Sequence, residues 1–199
     1  MADYIFATAF TAWGSPTTWL EIVAVLIALV MVGCNIREIH WGWPLAIASS
    51  LLYFALFWDG KLYGEAGLQL VFAALAVWGW WQWRFGRTRA GEVLTVRRLG
   101  LPGLVRPALL ALAAWPLLGL FLAKNTDSPL PYWDAFPTVA SLLGQWLLAR
   151  KYEENWPTWI VVNAASVVLF GIKGYWLTVL LYAGFIPMSV IGWRTWRRV

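Results

Sequence analysis

Seven apolar runs of about twenty residues each constrain the fold of this chain more than any other feature. A helix of about twenty residues is roughly 30 Å long, which matches the hydrocarbon core of a membrane. The sequence is 61% hydrophobic and only 13% charged. A soluble chain of 199 residues has no core large enough to bury seven such runs. The sequence therefore predicts an integral membrane protein built from helices.

The predicted spans follow from hydropathy along the chain. They are Thr18 to Ile36, Trp43 to Trp58, Leu62 to Trp83, Leu104 to Ala123, Trp133 to Ala149, Pro157 to Ile172 and Tyr175 to Trp193. Seven spans place the termini on opposite sides of the membrane. The segments on the side of the C-terminus hold Arg37, Arg84, Arg87, Arg89, Arg97, Arg98, Arg106, Arg150, Lys151, Arg194, Arg197 and Arg198. The other side holds only Lys61, Lys124 and Lys173. This bias predicts an external N-terminus and a cytoplasmic C-terminus.

Several functional classes are disfavoured by the sequence. The net charge of +5 does not indicate nucleic acid, because the arginines flank apolar runs and form no basic stripe on a soluble face. The sequence has no GxSxG, no HExxH, no phosphate-cradling glycine loop and no pair of carboxylates within a span. His40 has no neighbouring ligand set for a metal. We therefore expect neither enzymatic activity nor a metal or cofactor.

An internal repeat suggests the architecture. A shift of 113 residues, without a gap, pairs Trp43-Pro44 with Trp156-Pro157, Gly79-Trp80 with Gly192-Trp193 and Trp83-Arg84 with Trp196-Arg197. Spans one to three then repeat as spans five to seven, with span four as a linker. The predicted parts are a short N-terminal segment (1–17), a first repeat (18–84), an inner loop with the linker helix (85–130) and a second repeat (131–199). Such parallel repeats are a transporter plan that binds substrate near the midplane, between the triplets.

Polar and aromatic side chains at helical spacing mark the predicted pocket, since polar groups within a span are costly unless they face the bundle interior. On span six the stripe is Trp156, Trp159, Asn163, Ser166 and Phe170. Span three contributes Gln69 and Phe72, and span seven contributes Tyr182, the repeat equivalent of Gln69. Carboxamides donate and accept hydrogen bonds, and aromatic faces stack on planar or cationic rings. The expected ligand is small, planar and amide-bearing or hydroxylated.

Other roles for these residues stay open. Asn163 and Gln69 could instead hold helices together by hydrogen bonds, and Trp156 could belong to an interfacial aromatic belt. Glu21, Glu65 and Lys173 lie near the outer ends of spans, where structural roles compete with roles in transport. We interpret the connection from Arg84 to Gly103 as a loop that faces solvent and lipid headgroups, without chemistry of its own.

Two motifs resemble the PnuC family of bacterial B-vitamin transporters. The third span of that family typically carries a Gln, an aromatic residue and a terminal Gly-Trp-x-x-Trp, as in the stretch YGEAGLQLVFAALAVWGWWQW (Tyr63 to Trp83). The family's sixth core span is similar to NWPTWIVVNAASVVLFGIKGY (Asn155 to Tyr175). The resemblance extends from about Trp19 to Arg198.

The resemblance implies an all-α bundle of seven transmembrane helices in a 3+1+3 arrangement, related to the SWEET sugar transporters, in the bacterial cytoplasmic (inner) membrane. It implies facilitated diffusion of nicotinamide riboside inward, with trapping by a cytosolic riboside kinase as functional partner. By matching position, substrate contacts fall on Gln69, Phe72, Trp159, Asn163 and Tyr182. Thiamine or another B vitamin is an alternative cargo, and a non-transporting vitamin sensor or scaffold is an alternative class. The expected partners also include the lipid bilayer, and such a bundle is compatible with a homo-oligomer.

Overall fold

The computed structural model describes residues 7–12, 14–59, 63–88, 90–174 and 176–198. Within these residues it has seven α-helices, in the same order as the seven predicted spans. They are α1 (Trp19–Ile36), α2 (Gly42–Asp59), α3 (Tyr63–Phe85), α4 (Gly100–Asn125), α5 (Pro131–Ala149), α6 (Asn155–Ile172) and α7 (Trp176–Trp196). Four residues that were used for the predicted spans or the charge count lie outside the described residues: Lys61, Leu62, Arg89 and Tyr175. The side chain of Glu65 also lies outside them.

Three helices, α1, α4 and α6, are both long and apolar enough to cross a membrane, judged on the described residues alone. Helices α2, α3, α5 and α7 have 18 to 23 residues. Helix α4 is the longest of the described helices, with 26 residues, or about 39 Å at the usual rise per residue. That exceeds the hydrocarbon core, so α4 must tilt or extend into the headgroup region.

A β-hairpin precedes α1, where the sequence predicted only a short segment. Strands β1 (Thr8–Ala12) and β2 (Ser15–Thr18) pair antiparallel around Gly14, whose φ of 82° suits glycine. Strand β2 runs directly into the helix, because Thr18 is also its N-cap. The Oγ1 of Thr18 accepts a hydrogen bond from the Glu21 backbone N–H at 3.2 Å. Glu21 thus lies in the first turn of α1, within about a turn of its end as predicted.

The chain divides into two compact units, one ending at Val93 and the other beginning at Leu94. In the first unit, α2 packs against both α1 and α3. In the second, α5 packs against α4 and α6, and α6 also packs against α7. The predicted linker helix α4 therefore belongs to the same compact unit as the second triplet.

A tryptophan at the start of α2 joins α2 to α3. Trp43 is 1% exposed, and its ring lies against Gly79 of α3 so closely that a methyl group at Gly79 would overlap it. Its ring also meets Trp83 edge-on, with centroids 5.5 Å apart and an interplanar angle of 84°. The small residue lets a large ring bridge the two helices.

The second unit contains the same arrangement 113 residues later. Trp156 at the start of α6 is 3% exposed and lies over Gly192 of α7, where an added Cβ would stand 2.6 Å from its ring. Trp156 meets Trp196 edge-on, at 5.4 Å and 88°. The matched residues of the sequence repeat therefore make matched contacts.

The connections before these tryptophans also match in backbone geometry. Glu38 and Lys151, 113 residues apart, both have a φ of 55°, which is uncommon for residues other than glycine. Each donates its backbone N–H to the carbonyl three residues earlier, Asn35 at 3.2 Å and Leu148 at 3.0 Å. These shared details support an internal duplication.

The α3–α4 connection is more structured than the predicted solvated loop. The N–H of Arg97 donates to the Lys151 carbonyl and the N–H of Glu153 donates to the Arg97 carbonyl, each at 3.0 Å. The Arg97 guanidinium lies over the Tyr152 ring, 4.7 Å from its centroid. Next to it, Arg98 contacts the Glu153 carboxylate at 3.5 Å. The end of this connection, at Arg97 and Arg98, is therefore docked on the α5–α6 turn.

The same turn provides a cap for α4. The two carboxylate oxygens of Glu154 accept hydrogen bonds from the backbone N–H groups of Leu99, at 3.1 Å, and Gly100, at 2.8 Å. A carboxylate at a helix N-terminus satisfies unpaired donors and offsets the helix dipole. The α5–α6 turn thus fixes the start of α4.

Candidate functional site

The polar centre of the second unit is a hydrogen-bonded pair between α6 and α7. Asn163 is 4% exposed and Ser189 3%. The Asn163 amide Nδ2 donates to the Ser189 hydroxyl at 3.4 Å, and that hydroxyl donates to the Phe185 carbonyl at 2.8 Å. Ser166, one turn further along α6, is also buried. The predicted carboxamide is therefore enclosed among helices and engaged with one of them.

Aromatic rings flank this pair on both sides along the helices. Two turns beyond Asn163, Phe170 stacks on Tyr182 of α7, with centroids 5.5 Å apart and planes 11° apart. Tyr182 in turn meets Phe185 edge-on at 6.2 Å. Two turns in the other direction lies buried Trp156, whose indole N–H has no hydrogen-bond partner among the described residues. Residues 156, 163 and 170 therefore follow one another down the interface between α6 and α7.

The predicted stripe on α6 is shared between two neighbouring helices. At 3.6 residues per turn, Trp159 lies about 60° around the helix from Trp156. Its indole faces α5, where a Cβ added to Gly144 would stand 3.1 Å from the ring. Residue spacing identified the polar-aromatic face of α6. It did not identify which neighbouring helix packs against each side of that face.

The predicted residues of α3 belong to the first unit. Gln69 and Phe72 are both half-buried. The same stripe continues to Gly79 and Trp83, which receive the ring of Trp43. The structure thus brings Trp156, Asn163 and Tyr182 to the interface between α6 and α7, and Ser166 is buried on α6. Gln69 and Phe72 lie on α3 of the other unit. Their convergence on one pocket stays a prediction.

Two cavities in the second unit lie away from these residues. The larger, about 240 Å³, lies among α4, α5 and α6, and the smaller, about 90 Å³, lies near the starts of α4 and α6 and the end of α7. Neither is lined by any of the seven predicted binding residues. The larger one is almost wholly apolar in its lining residues, so it does not suit an amide-bearing vitamin.

One polar cluster was not predicted. Lys173, just after α6, contacts the Asp134 carboxylate of α5 at 2.5 Å, and the Ser128 hydroxyl donates to the same carboxylate. The sequence does place the two opposite charges, Lys173 and Asp134, next to predicted outer span ends. It does not show that these two span ends are neighbours, so the ion pair could not be predicted. Lys173, which the sequence places near the outer end of a span, is an ion-pair partner of Asp134.

The described residues form seven helices with many exposed large hydrophobic side chains and a buried polar-aromatic helix interface, which define a polytopic helical membrane protein. The family model described as nicotinamide mononucleotide transporter matches residues 18–198, so the chain belongs to that family of membrane transporters. The resemblance to PnuC transporters predicted from the two motifs is thereby confirmed.

Individual relatives cover nearly the whole chain. The riboflavin/roseoflavin transporter RibM of Streptomyces davaonensis is 28% identical over 197 residues, covering 98% of this chain and 92% of that protein. The nicotinamide riboside transporter PnuC of Escherichia coli is 26% identical over 210 residues, covering 93% and 87%. The crystal structure of the vitamin B3 transporter PnuC superposes with a TM-score of 0.74 at 24% identity, covering 90% of this chain and 81% of that one. The predicted all-helical, seven-helix membrane fold is confirmed.

Proposed function

We propose that this protein carries nicotinamide riboside into the cytoplasm by facilitated diffusion. The single observation that carries the proposal is a buried carboxamide, Asn163, in the middle of an apolar helix, with aromatic rings two turns away on either side. An amide can bond the carboxamide of nicotinamide, and aromatic faces attract its cationic ring. Relatives named as nicotinamide riboside transporters support the same cargo.

The rest of the binding site in this proposal comes from both repeats. Trp159, Trp156, Ser166 and Tyr182 join Asn163 from the second repeat, and Gln69 and Phe72 join from the first. In the 3+1+3 plan the two sets meet near the midplane. Asn163 corresponds to Ser50, and Gln69 to Tyr182, in the repeat. That inequality suits an asymmetric solute.

Transport in this proposal is not coupled to an ion. The sequence places no Asp, Glu, Lys, Arg or His in the middle third of any of the seven helices, and intramembrane ionisable residues are the usual sites of ion and proton coupling. A cytosolic riboside kinase would then make uptake effectively one-way by phosphorylating the product. The proposed location is the bacterial inner membrane, with the N-terminus outside and the C-terminus in the cytoplasm.

A riboflavin-type cargo is the second candidate, because RibM aligns over 98% of the chain. Thiamine, which is also planar and cationic, is a third. Binding of each vitamin to the purified protein, followed by tryptophan fluorescence, separates these cargoes. We expect saturable binding of nicotinamide riboside that excess thiamine or riboflavin does not displace. If riboflavin bound and nicotinamide riboside did not, riboflavin would replace nicotinamide riboside as the proposed cargo.

Flux distinguishes a transporter from a vitamin sensor or scaffold. Liposomes containing the protein should equilibrate radiolabelled nicotinamide riboside much faster than protein-free liposomes. A sensor would bind the label without admitting it to the lumen. Saturable binding combined with no flux would therefore refute the transport proposal.

A further inference from the structure

The larger cavity of the second unit is an apolar groove. Its walls are α4 and α6 and its floor is α5, with Ala108, Ala111, Leu112, Ala140, Leu143 and Val161 among the lining side chains. Leu112 and Val161 are 58% and 53% exposed, so the groove opens outward from the unit. It has a volume of about 240 Å³.

The polar groups of this groove already have partners. The Trp115 indole N–H donates to the Tyr132 carbonyl at 2.6 Å, and the Thr158 hydroxyl donates to the Glu154 carbonyl at 2.9 Å. A polar solute would gain no hydrogen bond from them, and would lose those it makes with water. The groove therefore suits a hydrocarbon chain.

The smaller cavity continues the same two walls towards the helix ends. Leu101 and Leu104 of α4 line it one to two turns before Ala108, and Pro157 of α6 lines it next to Thr158. From Leu101 to Trp115 the α4 wall extends about 21 Å. That length exceeds half of a hydrocarbon core, which is about 15 Å. One acyl chain of a single leaflet can thus lie along it.

Two arginines line the far end of this path. Arg98 and Arg197 both border the smaller cavity, and the Arg197 guanidinium lies over the Trp193 ring at 5.1 Å. Of the two carboxylates there, Glu154 is occupied by the first backbone N–H groups of α4 and Glu153 contacts Arg98. Arginines and an indole beside the ends of apolar helices match the headgroup layer of a membrane.

We infer that this groove is a binding site for one phospholipid. The phosphate lies between Arg98 and Arg197, because guanidinium groups bind phosphate oxygens through paired hydrogen bonds. One acyl chain follows α4 along the path between α4 and α6. The lipid thereby covers the apolar floor formed by α5, which the second unit leaves open.

Lipid retention by the purified full chain tests the site. Delipidated protein is incubated with dioleoyl phosphatidylglycerol and bound lipid is counted by native mass spectrometry. We expect one retained lipid, and roughly tenfold weaker retention in Arg197→Gln, which loses a charge-assisted hydrogen bond, and in Ala111→Phe, which fills the groove. The matched controls Arg198→Gln and Ala113→Phe alter exposed residues that line neither cavity, and should retain lipid like the unmodified chain.

Two lipid fragments separate the two ends of the site. Dioleoylglycerol lacks the phosphate and glycerol 3-phosphate lacks the chains, so each should bind at least tenfold more weakly than the intact lipid. Equal retention by Ala111→Phe, or equal binding of glycerol 3-phosphate, would overturn the proposal. If Ala111→Phe does not fold, Ala140→Leu on α5 is tested instead, because it narrows the same groove. Equal lipid retention by folded Ala140→Leu would then overturn the proposal.

Discussion

At the scale of single residues, Asn163 is the side chain that matters most for the proposed activity. Its amide can make several hydrogen bonds, and the structure shows one of them, from Nδ2 to Ser189 at 3.4 Å. A bond to α7 fits a residue that joins helices, and a buried carboxamide also fits a ligand contact. The two roles predict different consequences for affinity and for stability.

Asn163→Ala should weaken nicotinamide riboside binding by about 1–3 kcal/mol, because a buried polar group of the ligand would be left unpaired. Ser189→Ala removes the hydroxyl partner on α7 but keeps the Asn163 carboxamide. The affinity of this variant for nicotinamide riboside should therefore change much less than that of Asn163→Ala. Both are measured by ligand titration, with thermal melting as a check on folding. Gln69→Ala is expected to resemble Asn163→Ala. If the folded double variant Asn163→Ala with Gln69→Ala bound as tightly as the original chain, both residues would be helix-joining groups only.

The ion pair between Lys173 and Asp134 should contribute little to stability. Their side chains are 25% and 20% exposed, and partly exposed ion pairs typically contribute about 0.2–1 kcal/mol. A double-mutant cycle with Lys173→Gln and Asp134→Asn measures the coupling by chemical unfolding. The coupling should shrink in high salt. Lys124→Gln, at an exposed site near the end of α4, is the control, and a coupling that stayed constant in 1 M salt would contradict a screened pair.

At the scale of helices, each unit contains a tryptophan that packs closely on a glycine of the next helix. Trp43 and Gly79 in the first unit correspond to Trp156 and Gly192 in the second. The close approach of ring and backbone fixes the spacing of α2 and α3, and equally of α6 and α7.

Gly192→Val should therefore destabilise the protein by about 1–3 kcal/mol, the usual cost of overpacking a filled interface. The matched control is Gly184→Val on the same helix, where an added Cβ meets no described atom within 4 Å. Valine has a higher helix propensity than glycine, so the control should melt no lower than the original chain. Gly79→Val and Gly67→Val form the corresponding pair on α3. Equal melting temperatures for the two members of a pair would contradict the packing role.

Much of the helical architecture could be predicted from sequence because apolar length is a local property. The number and order of the seven helices followed from it, and the pairing of Trp43 with Trp156 followed from the repeat. The docking of Arg97 on Tyr152 could not be predicted, since it depends on a contact between distant residues. For the same reason, spacing placed Trp159 on the correct helix but did not identify Gly144 as its neighbour.

At the scale of the whole molecule, the distribution of Lys and Arg predicts the orientation. In a chain with Cys34→Ser, the single substitutions Asp127→Cys and Ala90→Cys place one thiol in the α4–α5 and α3–α4 connections. A membrane-impermeant maleimide added to intact cells should label Asp127→Cys, and should label Ala90→Cys only after permeabilisation. The opposite pattern would reverse the predicted topology.

In the proposed mechanism, nicotinamide riboside crosses without ion coupling and is retained by phosphorylation. The most direct test measures radiolabelled riboside inside liposomes that contain the protein, with identical ions on both sides. The internal concentration should rise to the external one and stop there, with or without proton and sodium ionophores. Enclosing a riboside kinase with ATP should then raise the internal label well above that level. Accumulation above the external level without the kinase, when a proton or sodium gradient is imposed, would contradict uncoupled transport. Such accumulation should then be lost when an ionophore collapses the gradient.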